Sequence, residues 1–495
     1  MAQIKITNLT FSYDGSYTDI FENASMNLDT SWRLGFTGRN GRGKTTFLKL
    51  LMGEYEYSGT ISSPVDFTYF PPEITNPDSF TNEVISELRP DAEEWRLLRE
   101  MNLLEVDEDV LWRPFSTLSE GEKTKILLAA MFSGENKFLL IDEPTNHLDL
   151  HGRELVAEYL RSKSGFILVS HDRRFLDSCV DHVLSINKTN IEVMPGNFTD
   201  WLREKDRRDR EELAENEKLK KEITRLKKTA REKTEWADRA ESTKIGFDPT
   251  KVEKNTGRRA YIGMKSKKMN KRASAIEERT SRAIEEKSEL LKNVEESESL
   301  KLHTLNYHSN TLGYLKNVSI SYEEKSVCEN ISFEIKKGDR ILLRGRNGSG
   351  KSSILKLIMG ENIPHTGEFY LGNSVKISYV PQDVSHLSGN LSDFADEHEI
   401  DESLFKAILR KMDFSREQVD VPIERMSMGQ KKKVLIAKSL SERAHLLIWD
   451  EPLNYIDVLS RIQLEELIPA FEPTMIFVEH DADFSDKIST EIVEL

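Results

Sequence analysis

Four short motifs occur twice along this chain, in one order and at nearly one separation. GRNGRGKTT at Gly38–Thr46 returns as GRNGSGKSS at Gly345–Ser353, and LSEGE at Leu118–Glu122 returns as MSMGQ at Met426–Gln430. LLIDEPTNHLD at Leu139–Asp149 returns as LLIWDEPLNYID at Leu446–Asp457, and SHD at Ser170–Asp172 as EHD at Glu479–Asp481. The offsets run from 307 to 309 residues. Four motifs that keep order and offset require a duplicated domain. A chain of 495 residues is in any case too long for one core.

Each half alternates short apolar runs with helical spacing. ILLR ahead of Gly345, FLLID, LLIWD, GFILVS and TMIFVE have the character of buried strands, and FLKLLMG after the first glycine-rich loop has helical spacing. This predicts two α/β domains, each layered on a largely parallel sheet.

Between the halves, over 197–301, Lys, Arg and Glu dominate. Leu219, Ile223, Leu226 and Ala230 form one heptad seam, and Ala273, Ile276, Thr280, Ala283, Lys287, Leu290 and Val294 form another. Gly246, Pro249, Gly257 and Gly263 break the pattern between them. The reading is a long antiparallel helical hairpin, with the duplicated domains over 1–197 and 303–495, an arm over 198–302 and a tip loop near 245–263. The alternative is a disordered charged linker, against which the seams argue.

Charge is unevenly placed. From Lys218 to Arg272 there are 19 Lys and Arg against 7 Asp and Glu, a balance of +12 in a chain whose net charge is −15. A basic segment in an acidic protein points to a local polyanion contact. No apolar run approaches the roughly 18 residues of a membrane span, and the N-terminus lacks the apolar core of a signal peptide. Two distant cysteines, Cys179 and Cys328, allow no disulfide framework and fit a reducing compartment.

The motifs carry phosphate chemistry. G-x-x-x-x-G-K-[ST] turns backbone N–H groups around phosphates, so Gly38, Asn40, Gly41, Gly43, Lys44, Thr45 and Thr46 form one candidate site. Gly345, Asn347, Gly348, Gly350, Lys351, Ser352 and Ser353 form the other. The lysines reach the β- and γ-phosphates, and Thr45 and Ser352 offer hydroxyls to Mg²⁺. Asp142 and Asp450, at the ends of apolar strands, are expected to hold the metal. Glu143 and Glu451 are placed to polarise attacking water. His171 and His480 follow matching strands and can contact the γ-phosphate and that water.

With these residues in view, the chain resembles the ATP-binding cassette superfamily and, within it, the twin-cassette ABC-F proteins. The resemblance covers both cassettes and the arm. It implies that the signature of each cassette closes over ATP held by the other: Ser427 and Gly429 over the nucleotide on Lys44, Ser119 and Gly121 over that on Lys351. Tyr13 and Tyr322 look like the aromatics that stack on adenine, and His147–Asp149 and Tyr455–Asp457 look like the D-loops. The family's Q-loop glutamine, a metal contact, is matched by Gln382 in YVPQ, whereas the first half reads YFPP with Pro72 there. The second signature also lacks the usual leucine and double glycine. Hydrolysis is expected at both sites, at rates that can differ.

The resemblance further implies a 70S ribosome as partner, the arm entering the E site toward the peptidyl-transferase centre, 23S rRNA and the P-site tRNA. Trp236, Phe247 and Tyr261 are then candidates for stacking on bases, with helix packing as the alternative, and Lys244, Lys265, Lys267 and Lys268 for phosphate contacts. From Lys44 to Ser119 is 75 residues and from Lys351 to Ser427 is 76, so the first cassette holds no long inserted arm. The sequence stops at Leu495, just after the second cassette. This layout looks like the Vga/Lsa-type resistance group, which implies a cytoplasmic, monomeric protein protecting ribosomes from lincosamides, pleuromutilins and streptogramins A. A housekeeping translation factor, an exporter ATPase and a DNA-repair ATPase are the alternatives.

Overall fold

The computed structural model describes residues 2–13, 19–134, 137–146, 148–186, 191–242, 305, 307–322, 325–346, 348–412, 414 and 416–495. Met1–Trp201 and Ser299–Leu495 belong to one compact unit, and Leu202–Glu298 to a second.

In the first cassette the strands Phe67–Phe70, Phe138–Asp142, Phe166–Val169, Arg33–Thr37 and His182–Ile186 lie parallel in that order. Ile191–Pro195 adds an antiparallel edge. In the second cassette Ile377–Val380, Leu446–Asp450, Met475–Val478, Arg340–Arg344 and Glu491–Glu494 repeat the order, all parallel. Phe166–Val169 and Met475–Val478 are buried along their whole length. That explains their unbroken apolar character, since helices cover both faces of such a sheet. Each cassette adds a three-stranded antiparallel sheet: Gln3–Phe11 between Phe21–Asp29 and Ser58–Ser62, and Thr311–Tyr322 between Lys325–Lys336 and His365–Leu371.

The cassettes touch through charged groups beside the two SHD/EHD turns. Arg173 binds the fully buried carboxylate of Glu465, which also accepts from Lys487 Nζ at 2.9 Å. Arg174 reaches Asp483 and Asp486, each at 2.6 Å. By the repeat offset, Ala157 and Arg174 stand in the first cassette where Glu465 and Asp483 stand in the second.

The stretch that follows the first cassette opens with one continuous helix, Phe198–Ser242, which runs into the basic segment. At about 1.5 Å per residue its 45 residues span roughly 67 Å. Ile223, on the first predicted seam, is buried. The side chains of Leu226, Ala230 and Trp236 lie outside the described residues. So do the tip loop, the second seam, Lys244, Phe247, Tyr261, Lys265, Lys267, Lys268, His147 and Asn347. Among the described residues no helix is long and apolar enough to cross a membrane.

Candidate functional site

Both glycine-rich loops run from a sheet strand into a helix. The first helix, Lys44–Met52, begins after Gly43 at φ 87°, and the second, Lys351–Ile358, after Gly350 at φ 91°. A side chain at either glycine would be strained by its backbone and would collide with Ile20 Cγ2 at 2.5 Å or Val327 Cγ1 at 2.8 Å. Lys44 Nζ donates to the Gly38 carbonyl at 2.7 Å and to Asn40 Oδ1 at 3.3 Å. Lys351 Nζ donates to the carbonyls of Gly345 and Arg346 at 2.8 and 2.9 Å. Burial lowers the pKa of both lysines. Each is a nearly dry ammonium cradled by carbonyl dipoles, a group that a phosphate can claim.

The carboxylates gather at the ends of the matching strands. Thr45 Oγ1 and Tyr69 OH both donate to Asp142 Oδ2, at 3.0 and 2.9 Å. Burial raises the pKa of Asp142 and of Asp450, and Asp450 Oδ1 is buried with no hydrogen-bond partner. A divalent cation reverses that electrostatic cost. Glu143 and Glu451 adopt left-handed backbone, at φ 52° and 46°. Each nonetheless extends its ladder by donating N–H to Val169 or Val478, at 2.9 and 3.0 Å. Strained non-glycine residues of this kind persist where the surrounding structure over-determines them.

His171 Nε2 stands 3.2 Å from Glu143 Oε1, out of line for a hydrogen bond, which leaves that oxygen unpartnered. Burial, and then the Asp142 charge, push the Glu143 carboxyl up to about 8, within the range useful for a base near neutral pH. Burial and Lys44 hold His171 well below its ordinary range. His480 Nε2 is 3.8 Å from Glu451 Oε1, and burial followed by Arg153 of the first cassette lowers its pKa to about 4.

The signatures are helix N-termini built by capping boxes. Ser119 Oγ accepts from Glu122 N at 3.2 Å while Glu122 accepts from Ser119 N at 2.8 Å. Ser427 and Gln430 repeat the pair at 3.3 and 2.9 Å. Each helix, Glu120–Ser133 and Met428–Ser441, then continues into the core.

The sites are shared between cassettes. At the first, Asn40 Nδ2 donates across to the Tyr455 carbonyl at 2.6 Å. A side chain at Gly429 would lie 2.4 Å from that same carbonyl and 2.7 Å from Asn40 Nδ2. At the second, a cavity of about 690 Å³ is lined by Ser119 and Gly121 of the first cassette and by Gly350, Lys351, Ser352, Gln382, Glu451 and His480 of the second. Tyr13 and Tyr322 stand beside the two loops, 44% and 40% exposed, with hydroxyls 2.8 Å from Thr46 Oγ1 and 3.2 Å from Ser353 Oγ.

The profile of the family described as "ABC transporter" matches residues 21–146 and 328–454, one stretch in each half. The chain belongs to the ATP-binding cassette family. It is an ABC-F ATPase, with two cassettes in one polypeptide. It is 27% identical over 98% of its length to the ribosome protection protein VmlR of Bacillus subtilis, covering 85% of that protein. To the ATP-binding protein Uup of Caulobacter vibrioides it is 27% identical over 96% of its length and 74% of that protein's. Two solved structures share the fold. One is the complex of archaeal ribosomal stalk protein aP1 with the archaeal ribosome recycling factor aABCE1, at TM-score 0.64 and 18% identity over 98% of this chain and 87% of that one. The other is the RNase-L inhibitor, at TM-score 0.63 and 19% identity over 99% and 87%.

Cassettes of this family bind ATP, generally with Mg²⁺. The residues present fit that metal: Thr45 with Asp142, and Ser352 with Asp450 and Gln382, supply hard oxygen donors. Bound there, the cation would supply charge neutralisation on the phosphates.

Two residues at the second site, Asn454 and Glu479, escaped the sequence reading. Asn454 Nδ2 and Gln382 Nε2 both donate to Glu451 Oε2, at 2.7 and 2.8 Å. Glu479 accepts from the backbone N–H of Leu453, His480 and Asp481 at 2.8–3.2 Å, where the first cassette has Ser170. Asn454 had a signal, since Asn follows E-P-x in both copies. Glu479 had one as well, because a carboxylate replacing Ser170 just after a buried strand must find donors.

Proposed function

We propose that this protein is a cytoplasmic ribosome-binding ATPase that protects the peptidyl-transferase centre against lincosamides, pleuromutilins and streptogramins A. In this reading the cassettes span 1–197 and 303–495. ATP is sandwiched between Lys44 and the Ser427 signature and between Lys351 and the Ser119 signature. Closure inserts the 198–302 arm through the E site toward 23S rRNA and the P-site tRNA. Hydrolysis, with Glu143 and Glu451 as bases and His171 and His480 beside them, permits release.

The observation that carries it is likeness to a ribosome protection protein along nearly the whole chain. The basic arm supports it, since phosphate contacts need cations and the rest of the chain is acidic. Expression in a sensitive bacterium is expected to raise tolerance to lincomycin and tiamulin. Unchanged tolerance, with the protein still on ribosomes, would favour a housekeeping translation factor. Recovery only with membranes would favour the exporter ATPase.

A further inference from the structure

One lysine at the second site has no counterpart at the first. Lys432 lies on the signature helix Met428–Ser441 and is fully buried. Its Nζ donates to the Pro381 carbonyl at 2.7 Å, and to the carbonyls of Gln382 and Asp450 at 3.4 and 3.3 Å. One ammonium thus ties the turn carrying Gln382 to the strand end carrying Asp450 and Glu451. Across that tie the Gln382 carboxamide meets Glu451 at 2.8 Å. In the first cassette the matching residue is Thr124, whose hydroxyl donates to its own helix at Glu120 O, 2.9 Å away. The matching turn ends in Pro72, which has no side-chain donor.

A buried ammonium is costly. This one donates directly to three carbonyls and is offset at longer range by the carboxylates of Glu479, Asp450, Glu451 and Asp383. We infer that Lys432 is a positioning residue for hydrolysis at the Lys351 site, fixing the Gln382 turn so that its carboxamide stays on Glu451, and that this makes the Lys351 site the faster of the two. The inference rests on the ATPase reaction and not on the ribosomal reading, so either can fail alone.

The test uses the full chain without ribosomes. With the first site silenced by Glu143→Gln, Lys432→Met is expected to lower kcat by about tenfold or more, as misplacement of a reacting group does, with KM for ATP within twofold. With the second site silenced by Glu451→Gln, Lys432→Met is expected to lower the remaining turnover by no more than about threefold, a smaller loss than at the second site, since the helix that carries Lys432 also carries the Ser427 signature of the first. Gln382→Ala is expected to cost little once Lys432→Met is present, because the two changes remove one arrangement. In nucleotide-free protein, amide exchange over residues 379–384 should quicken by about tenfold while the Phe138–Asp142 strand keeps its protection. If Lys432→Met does not fold, Lys432→Gln is read in the same four measurements. Equal losses at both sites, fully additive losses with Gln382→Ala, or unchanged exchange at 379–384 would each overturn the assignment.

Discussion

Asn40 and Tyr455 meet across the cassette boundary: the Asn40 side-chain amide donates to the Tyr455 carbonyl at 2.6 Å while its oxygen accepts from Lys44. One side chain therefore contacts both Lys44 of one cassette and the Tyr455 turn of the other. Asn40→Ala removes a bond of about 1 kcal/mol. It is expected to raise KM for ATP roughly fivefold, because closure over nucleotide loses that contact. An unchanged KM in steady-state ATPase assays would rule the contact out as part of closure.

Gly429 packs into the same corner. Gly429→Ala places a methyl where Tyr455 O and Asn40 Nδ2 now sit, at 2.4 and 2.7 Å. The seam must open to admit it. Turnover at the first site, measured in the Glu451→Gln background, should fall at least tenfold, in keeping with the cost of misplacing a reacting group. Turnover at the second should fall less.

Glu143→Gln with Glu451→Gln removes both candidate bases and leaves the phosphate cradles intact. The closed, ATP-loaded form should accumulate and sediment with 70S particles in ATP but not in ADP. A protein that stays in the supernatant in both nucleotides would sink the clamp reading.

Glu100 is buried in the first cassette, held by Tyr159 OH at 2.7 Å and by Lys163. Burial alone would raise its pKa, but the hydrogen bonds from Lys163 and Tyr159 outweigh burial and leave it lowered. A depressed carboxyl contributes stability that is present above its unfolded pKa, near 4.5, and is lost as pH falls through the folded value. Lys163→Met leaves the carboxylate with Tyr159 and Arg99 as partners and should cost about 2 kcal/mol at pH 7, the worth of one charge-assisted hydrogen bond. The deficit should shrink as pH falls, because the variant's folded Glu100 takes up its proton at a higher pH than the wild-type residue does, while the unfolded chains titrate alike. A deficit constant with pH would mean that packing, not charge, is lost.

The parts legible in sequence were those in which local backbone geometry and chemistry coincide. Gly43 and Gly350 are required by left-handed backbone, Ser119 and Ser427 by capping boxes, and the FLLID and LLIWD runs by burial. Each is written in a handful of adjacent residues, and duplication writes it twice. Lys432 was not legible: nothing in KKKVLIAK sets it apart from Lys431 and Lys433, and only the three-dimensional approach of Pro381 and Asp450 gives it a task. Arg173 and Glu465 are 292 positions apart and belong to no repeated motif, so nothing along the chain pairs them. Asymmetry between the copies was visible at Pro72 against Gln382, but its meaning depended on what each turn touches.

The Arg173 and Arg174 contacts also decide which cassette can partner which. Two first cassettes brought together in this arrangement would oppose Arg174 to Arg174 and leave Arg173 facing Ala157, an alanine with no charge to offer. The mutual repulsion, and the desolvation of unanswered guanidinium groups, would disfavour such a pair. Descendants of one ancestral domain have thus become complementary rather than identical, and each now selects its sibling over a copy of itself.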